Sequence, residues 1–273
     1  MKSRTAWLLA GLFLIGQAQA MDTGDKRWSL ALGGYLLADF DSTLSLEDSQ
    51  AGAGIAISPT RTLGMDFENT VLRFDGLRRL KGPHSLTFSW YSIRSDGNKS
   101  IEEEFTWEDD NGNSITIPVG AQVTSRLKYD IFKLGYRWSF YHSDKVELAV
   151  GAGVHVTRFE MNLEASTTVP AGRSARGVET TVPLPVVAFT LAYRISPRWS
   201  WSLDNQWFAM RFGEYSGNYT DVTLRLEYRA WKNVGLGVGI GSNNLTIGRE
   251  NDDYRFTFRN RIAGGLLYLT TWF

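Results

Sequence analysis

A set of ionisable side chains falls at alternate positions of stretches that alternate between apolar and polar residues, which predicts one shared face. The set contains eight Lys or Arg residues against four acidic ones, with one His. Such a face suits either a conduction path with a basic bias or a plug of salt bridges. We expect the plug, because charges in a narrow interior are costly unless they pair. The predicted set is Arg73, Asp75, Arg79, Lys133, Arg137, Lys145, Glu147, His155, Arg194, Asp204, Arg225, Glu227 and Arg229.

The acidic stretch 96–110 offers carboxylates of the kind that bind divalent cations. Asp109-x-Asn111-x-Asn113 begins like a calcium loop, but the required Gly and bidentate Glu positions hold Ser114 and Gly120. The chain has no Cys, so it offers no thiolate ligand. We therefore predict no metal site and no cofactor.

The alternation itself predicts β-strands. Even positions of 132–140 are Phe, Leu, Tyr, Trp and Phe, whereas odd positions include Lys133 and Arg137. Strict alternation of this kind indicates a sheet with one apolar and one polar face. Similar patterns cover 28–36, 72–80, 86–91, 145–156, 187–194, 199–207, 222–229 and 236–240, and a last apolar strand ends the chain. The inward–outward alternation changes phase along that last strand, which predicts a bulge or a bend near Gly264-Gly265.

Connections of alternating length join these strands. Four are tight turns, and the longer ones fall between them, as in membrane barrels with short periplasmic turns and longer outer loops. With both termini on the periplasmic side, the sequence predicts an all-β protein, an antiparallel transmembrane β-barrel of about ten strands. Eight or twelve strands stay open, because Ser114–Pro118 is also strand-like. The tight turns are 81–84, 141–144, 195–198 and 230–233; the longer connections include 41–66, 96–123 and the intermediate 163–178.

The two ends of the chain indicate export and membrane insertion. A basic start, the apolar segment 7–15 and the small residues Ala18 and Ala20 have the order of a cleaved signal peptide. We predict a signal peptide over 1–20 and one barrel domain over 21–273. The terminal strand carries Tyr268, Trp272 and Phe273, and it resembles the assembly signal of bacterial outer-membrane barrels.

Composition agrees with this interpretation. Aromatic residues make up 13% of the chain, with 10 Trp, and many lie near predicted strand ends, as in the aromatic girdles of barrels. Basic and acidic residues are balanced at 29 each, which does not suggest a nucleic-acid partner.

The stretches 73–97, 129–140, 144–156, 183–204 and 266–273 resemble a family of uncharacterised proteobacterial outer-membrane proteins. The resemblance spans most of the mature chain and implies an outer-membrane barrel. It implies no activity.

Histidines limit the enzymatic alternatives. His84 and His142 fall in predicted turns, and His155 on the predicted inner face. Omptin-like proteases place His and Asp at the outer rim, and barrel-type lipid A deacylases use a His-Ser pair outside the wall. His142-Ser143 are only chain neighbours, which rarely form a catalytic pair. We predict no catalytic residue.

These observations favour a small outer-membrane barrel with a plugged lumen, long outer loops and a structural or surface-interaction role. The alternatives are a narrow channel for small, anionic solutes and an enzyme acting on lipid A or peptides. The expected partners are outer-membrane lipid and lipopolysaccharide, with the barrel assembly machinery and periplasmic chaperones during biogenesis.

Overall fold

The computed structural model describes residues 26–48, 54–66, 70–102, 104–108, 114–168, 171–251 and 254–273. Its elements, in chain order, are β1 (Trp28–Asp48), β2 (Gly54–Ile57), α1 (Pro59–Leu63), β3 (Thr70–Arg79), β4 (His84–Ser100), β5 (Phe105–Glu108), β6 (Ser114–Ile117), β7 (Gln122–His142), β8 (Val146–Thr168), β9 (Ala171–Arg194), β10 (Trp199–Phe212), β11 (Tyr215–Arg229), β12 (Val234–Glu250) and β13 (Tyr254–Trp272).

Ten of these strands form one closed antiparallel wall. Neighbours along the chain pair around the barrel, and β13 pairs with β1 to close it. At the closure, Trp28 N–H donates to Phe273 O at 2.8 Å and Phe273 N–H donates to Trp28 O at 3.1 Å. The predicted ten-stranded transmembrane barrel is therefore confirmed. The strand-like piece near Ser114 is β6, which pairs only with β5 in a separate hairpin rather than in the wall.

The barrel has two distinct ends. Both described termini and the four tight turns lie at one end, the turn end; the longer connections lie at the other, the loop end. The outer surface is apolar at alternating positions, for example at Leu134 (51% exposed) and Leu267 (60% exposed). This outward apolar band is the one that transmembrane barrels present to lipid. Within the described ranges, no α-helix has the length and apolarity needed to cross a membrane.

The change in the inward–outward alternation lies on a different strand from the one predicted. Register shifts between Leu37 and Asp39 of β1, so Ala38 is the extra residue opposite Gly264 and Ala263. On β13, even positions face inward throughout, because Phe258 packs inside while Leu267 and Leu269 are exposed. The irregularity predicted near Gly264-Gly265 was therefore wrong; those glycines keep a regular register with β12, and the extra residue lies in the partner strand β1 instead.

The strands extend well beyond the apolar band at the loop end. β8 and β9 remain paired as far as Thr168 and Ala171, so the intermediate loop expected over 163–178 is mostly strand. These extensions carry outward-facing ion pairs, such as Arg158–Glu179 at 2.7 Å and Lys128–Asp130 at 2.9 Å.

Residues 54–66 fill a gap in the wall above the short strand β3. β2 pairs with the upper part of β1, and Met65 forms a bridge to Gly97 of β4. Between them, Ser58 caps α1 by accepting from Arg61 N–H, and Gly64 ends it in the left-handed conformation (φ 65°). Leu63 is completely buried. We call residues 54–66 the wall insert.

The interior is divided along the barrel axis. The loop-end half is apolar: inward side chains from β4, β7, β8 and β13 pack with the wall insert into one buried cluster that includes Leu63, Ile93, Ile131, Tyr129 and Ile262. A second apolar cluster lies on the β9–β12 side and includes Leu184, Val186, Tyr219 and Leu245. The turn-end half is polar and contains the cavity described next.

Candidate functional site in the barrel interior

A hydrogen-bonded cluster lies where the polar half of the interior meets the apolar half. Lys133 Nζ lies 2.5 Å from Asp221 Oδ2. Asn243 Nδ2 donates to the same carboxylate at 3.1 Å and to Tyr219 Oη at 2.9 Å, and Tyr219 also contacts His155 Nδ1. All five residues are buried. Their polar atoms partner one another, which makes burial of this charge pair tolerable.

Two arginines and two aspartates continue the network toward the turn end. Arg73 contacts Asp75 through Nε at 2.9 Å and Nη2 at 3.1 Å. Arg225 bridges two carboxylates, lying 2.7 Å from Asp204 and 3.6 Å from Asp75. The Arg73 guanidinium also lies 5.2 Å from the Tyr91 ring centroid, within cation–π range.

Glu147 is a third centre, nearer the turn end. Its two oxygens accept from Arg79 at 3.1 Å, Arg137 at 3.3 Å and Ser139 at 2.5 Å. The carboxylate is 4% exposed, whereas Arg79 is 30% exposed. Glu147 therefore ties β3, β7 and β8 together from inside the barrel.

Other predicted members of the set lie closer to the turn-end mouth. Arg229 stacks on the Trp272 ring at 5.1 Å, and Arg194 lines a small recess with it. Glu227 accepts from Tyr268 Oη at 3.0 Å. Lys145 corrects the prediction: it lies exposed in the turn between β7 and β8, because β8 begins only at Val146.

A cavity of about 250 Å³ occupies the polar half of the interior. The basic residues that line it are Lys26, Arg27, Arg73, Arg79, Lys133, Arg137 and Arg225, and the acidic ones are Asp75, Glu147, Asp204, Asp221 and Glu227. Seven cations therefore face five anions, so a basic excess remains, smaller than the eight against four expected from the sequence. The two sets differ because Asp221, Lys26 and Arg27 were missed, Lys145 lies outside, and Arg194 and Arg229 lie at the mouth.

Asp221, Tyr219 and Asn243 are the functional-cluster residues that sequence reasoning missed. The sequence pattern could have found two of them. Tyr219 and Asp221 lie at odd positions of β11, on the same face of the strand as Arg225. The predicted strand began at Val222, whereas β11 begins at Tyr215, so neither residue was included in a strand. Asn243 lies on β12, where glycines at alternate positions conceal the inward face.

The histidines and acidic groups define what the site can do. His155 is 1% exposed, so a substrate has no access to its ring. His84 and His142 lie at the turn end, where His84 Nδ1 is 2.5 Å from Tyr136 Oη. In the part of the chain that the structure describes, no three His, Asp or Glu side chains are grouped as metal ligands.

Asp109, Asn111 and Asn113, like Ala18 and Ala20, lie outside the described residues.

The predicted assembly residues occupy three different environments. Tyr268 is buried inside the barrel, Trp272 lies at its mouth, and Phe273 is 55% exposed and paired with β1. Their proposed role in assembly stays a prediction.

The apolar band, the closed ten-stranded wall and the polar, ion-paired interior define the class of protein: a small outer-membrane-type β-barrel. Comparison with protein-family models gave no match, and comparison with curated proteins gave none either.

Solved structures do match. The outer-membrane protease OmpT from Escherichia coli is similar with a TM-score of 0.55 and 13% identity, over 93% of this chain and 100% of its own. The toluene transporter TodX from P. putida matches with a TM-score of 0.34 and 8% identity, over 91% and 90% of the two chains. The attachment invasion locus protein Ail of Yersinia pestis matches with a TM-score of 0.29 and 9% identity, over 89% and 98%. The likeness to OmpT concerns the fold alone, so the resemblance to one particular barrel family stays a prediction.

Proposed function

We propose that this chain is an outer-membrane barrel that is closed along its axis and works through its loop end, in a structural or surface-interaction role. Its location would follow from export by the predicted signal peptide and insertion by the barrel assembly machinery, with outer-membrane lipid and lipopolysaccharide around it.

The observation that carries this proposal is the division of the interior. Inward side chains of the loop-end half pack on the wall insert, with Leu63, Ile93 and Ile131 all completely buried. Below them, the charges are paired rather than free to coordinate a passing ion. Ten strands leave little bore to begin with. A solute entering from the turn end would therefore meet apolar packing beyond the cavity.

Planar-bilayer recording tests the proposal. We expect the purified wild-type protein to give at most small and rare openings. The triple variant Arg73→Ser, Arg137→Ser and Arg225→Ser enlarges the cavity but leaves the apolar half intact, so we expect it to increase leakage only slightly. Steady, sizeable wild-type conductance would overturn the closed barrel and favour a channel.

The channel alternative has one observation in its favour, the cavity itself. Its lining carries seven basic and five acidic residues, so we expect a current through it to be only weakly anion-selective. An enzymatic role has less support, because the central Tyr219–His155 contact is enclosed and the OmpT likeness is one of fold.

A further inference from the structure

The wall of the barrel is incomplete between two neighbouring strands. β9 and β10 pair from Ser200↔Arg194 to Trp207↔Val187 and no further. Both strands continue toward the loop end, where β9 remains paired with β8 and β10 with β11 as far as Phe212↔Tyr215. Across residues 182–186 and 208–212, all of them described, the two strands share no ladder. We call this gap the lateral slit.

Two prolines of β9 are compatible with an edge that has no neighbouring strand. Pro183 and Pro185 have the same parity and both remain in the ladder with β8. A proline has no N–H to donate, and in sheets it is tolerated on edge strands where that position faces away from the neighbour. Both missing donors therefore belong to the edge toward β10. Strand addition needs main-chain donors, so this edge is poorly suited to binding a partner's β-strand.

The slit differs from the other gap in the wall. Above β3, the wall insert covers the opening through β2 and the Met65–Gly97 bridge. No described residue pairs into the slit in the same way.

Apolar side chains line the slit on both faces. Leu184 and Val186, each 6% exposed, form its floor, and Phe208 packs against the cluster that contains them. On the rim, Val187, Met210 and Phe212 are 46%, 49% and 78% exposed. At about 3.3 Å per residue and a tilt of about 40°, Trp207 lies about 20 Å above Trp199 at the turn end. The lower end of the slit therefore lies within the upper part of an apolar band about 25 Å tall.

We propose that the lateral slit is a binding site for an acyl chain of a lipid in the outer leaflet. Position selects the occupant, since the lower end of the slit, just above the Trp207↔Val187 pair, opens sideways within the apolar band, while its upper part extends beyond the band. The chemistry of the slit also fits an acyl chain, because its floor and rim are apolar and its edge lacks two of the backbone N–H donors that a partner's β-strand would need. The site is independent of whether the barrel conducts along its axis.

Quenching by brominated lipid tests the site in a chain without native Cys. Single variants Val186→Cys and Ala188→Cys would be labelled with bimane and reconstituted in phosphatidylcholine liposomes whose acyl chains carry bromine. Both positions face inward on β9, but Ala188 lies below the last β9–β10 pair, opposite Gln206. Leu203→Cys, on the outer face, gives the full lipid-exposed signal.

Val186 is 6% exposed and lines the interior cavity together with Ala188, so we expect quenching at position 186 to lie clearly above that at 188 and below that at 203. Quenching at 188 should be close to that in unbrominated liposomes. Adding Pro183→Val and Pro185→Val restores two N–H donors, so the ladder can extend and quenching at 186 should fall toward that at 188. Equal quenching at 186 and 188 in the unaltered background would overturn the proposal. Disulfide-linked dimers of the unlabelled Val186→Cys variant, without quenching of the labelled one, would also overturn it, because a second copy would then occupy the slit.

Discussion

At the scale of single residues, the Lys133–Asp221 pair is one of the most enclosed charge pairs in the described interior, with side chains 8% and 10% exposed. Asp221→Ala leaves the Lys133 ammonium buried without its carboxylate and removes an acceptor from Asn243. Breaking a buried pair on one side costs about 3–5 kcal/mol. We expect that loss in urea unfolding of the reconstituted barrel, followed by tryptophan fluorescence.

The matched control removes both charges. The double variant Lys133→Met, Asp221→Leu should lose much less stability than Asp221→Ala, because apolar replacement of a buried pair is often nearly neutral. If the single variant is as stable as the wild type, the pair is not buried in the membrane-inserted protein.

Neighbouring residues of β7 should differ sharply in their tolerance of charge. Leu134 faces outward, so Leu134→Arg places a cation against lipid at a cost of about 2–4 kcal/mol near the midplane. Arg137 faces inward, and in Arg137→Gln the Glu147 carboxylate keeps Arg79 and Ser139. We expect heat-modifiable, folded barrel to decrease strongly for the first variant and slightly for the second. Equal losses would mean that the assigned faces of β7 are wrong.

At the scale of elements, the wall insert depends on close approach to β4. A Cβ at Gly97 would lie 2.6 Å from Leu63 O and 2.7 Å from Ser125 Oγ, so Gly97→Ala should displace the insert. Arg61 is the exposed trypsin site within it. We expect faster cleavage after Arg61 in intact outer membranes of the variant.

Gly241→Ala is the control for that experiment. It lies on the inner face of β12, and its added Cβ would meet Thr223 and Tyr35 at an ordinary 3.6 Å. Its cleavage rate should match that of the wild type. If Gly97→Ala is also cleaved at the wild-type rate, the insert does not depend on this contact.

At the scale of the whole molecule, closure depends on the last residue as well as on the long strands. Phe273 forms both terminal hydrogen bonds to Trp28, and its terminal aromatic resembles the signal read by the assembly machinery. We expect deletion of Phe273 to reduce heat-modifiable, membrane-inserted protein while secretion across the inner membrane continues. Normal insertion of the deletion variant would remove the role assigned to Tyr268, Trp272 and Phe273.

Cysteine labelling on whole cells can test which end of the barrel faces the outside of the cell. Val119 lies in the long connection between β4 and β7 and is 64% exposed, whereas Lys81 is exposed in a tight turn at the other end. Because we expect the turn end to be periplasmic, a membrane-impermeant maleimide on whole cells should label Val119→Cys and not Lys81→Cys. The reverse pattern would invert the topology and bring His84 and His142 to the cell surface.

Sequence alone located the strands of the wall and favoured ten of them, with eight or twelve left open, because alternation with a period of two is a local property of a wall with one apolar face. The same alternation of inward and outward positions predicts that Arg73, Lys133, Glu147 and Asp204 face inward. A bulge shifts this alternation by one residue, and a misplaced strand end leaves residues out of it. The bulge at Ala38 was therefore assigned to the wrong strand, and Asp221 was left just outside a predicted strand.

Only the tertiary structure decided how the interior is filled and where the wall is open. Lys133 and Asp221 are 88 residues apart in the chain, and no local pattern states that they meet. The insertion of residues 54–66 above β3 and the end of pairing at Trp207↔Val187 depend on which strands become neighbours and how far each ladder extends. Those are long-range properties, set when β13 meets β1 and the wall closes.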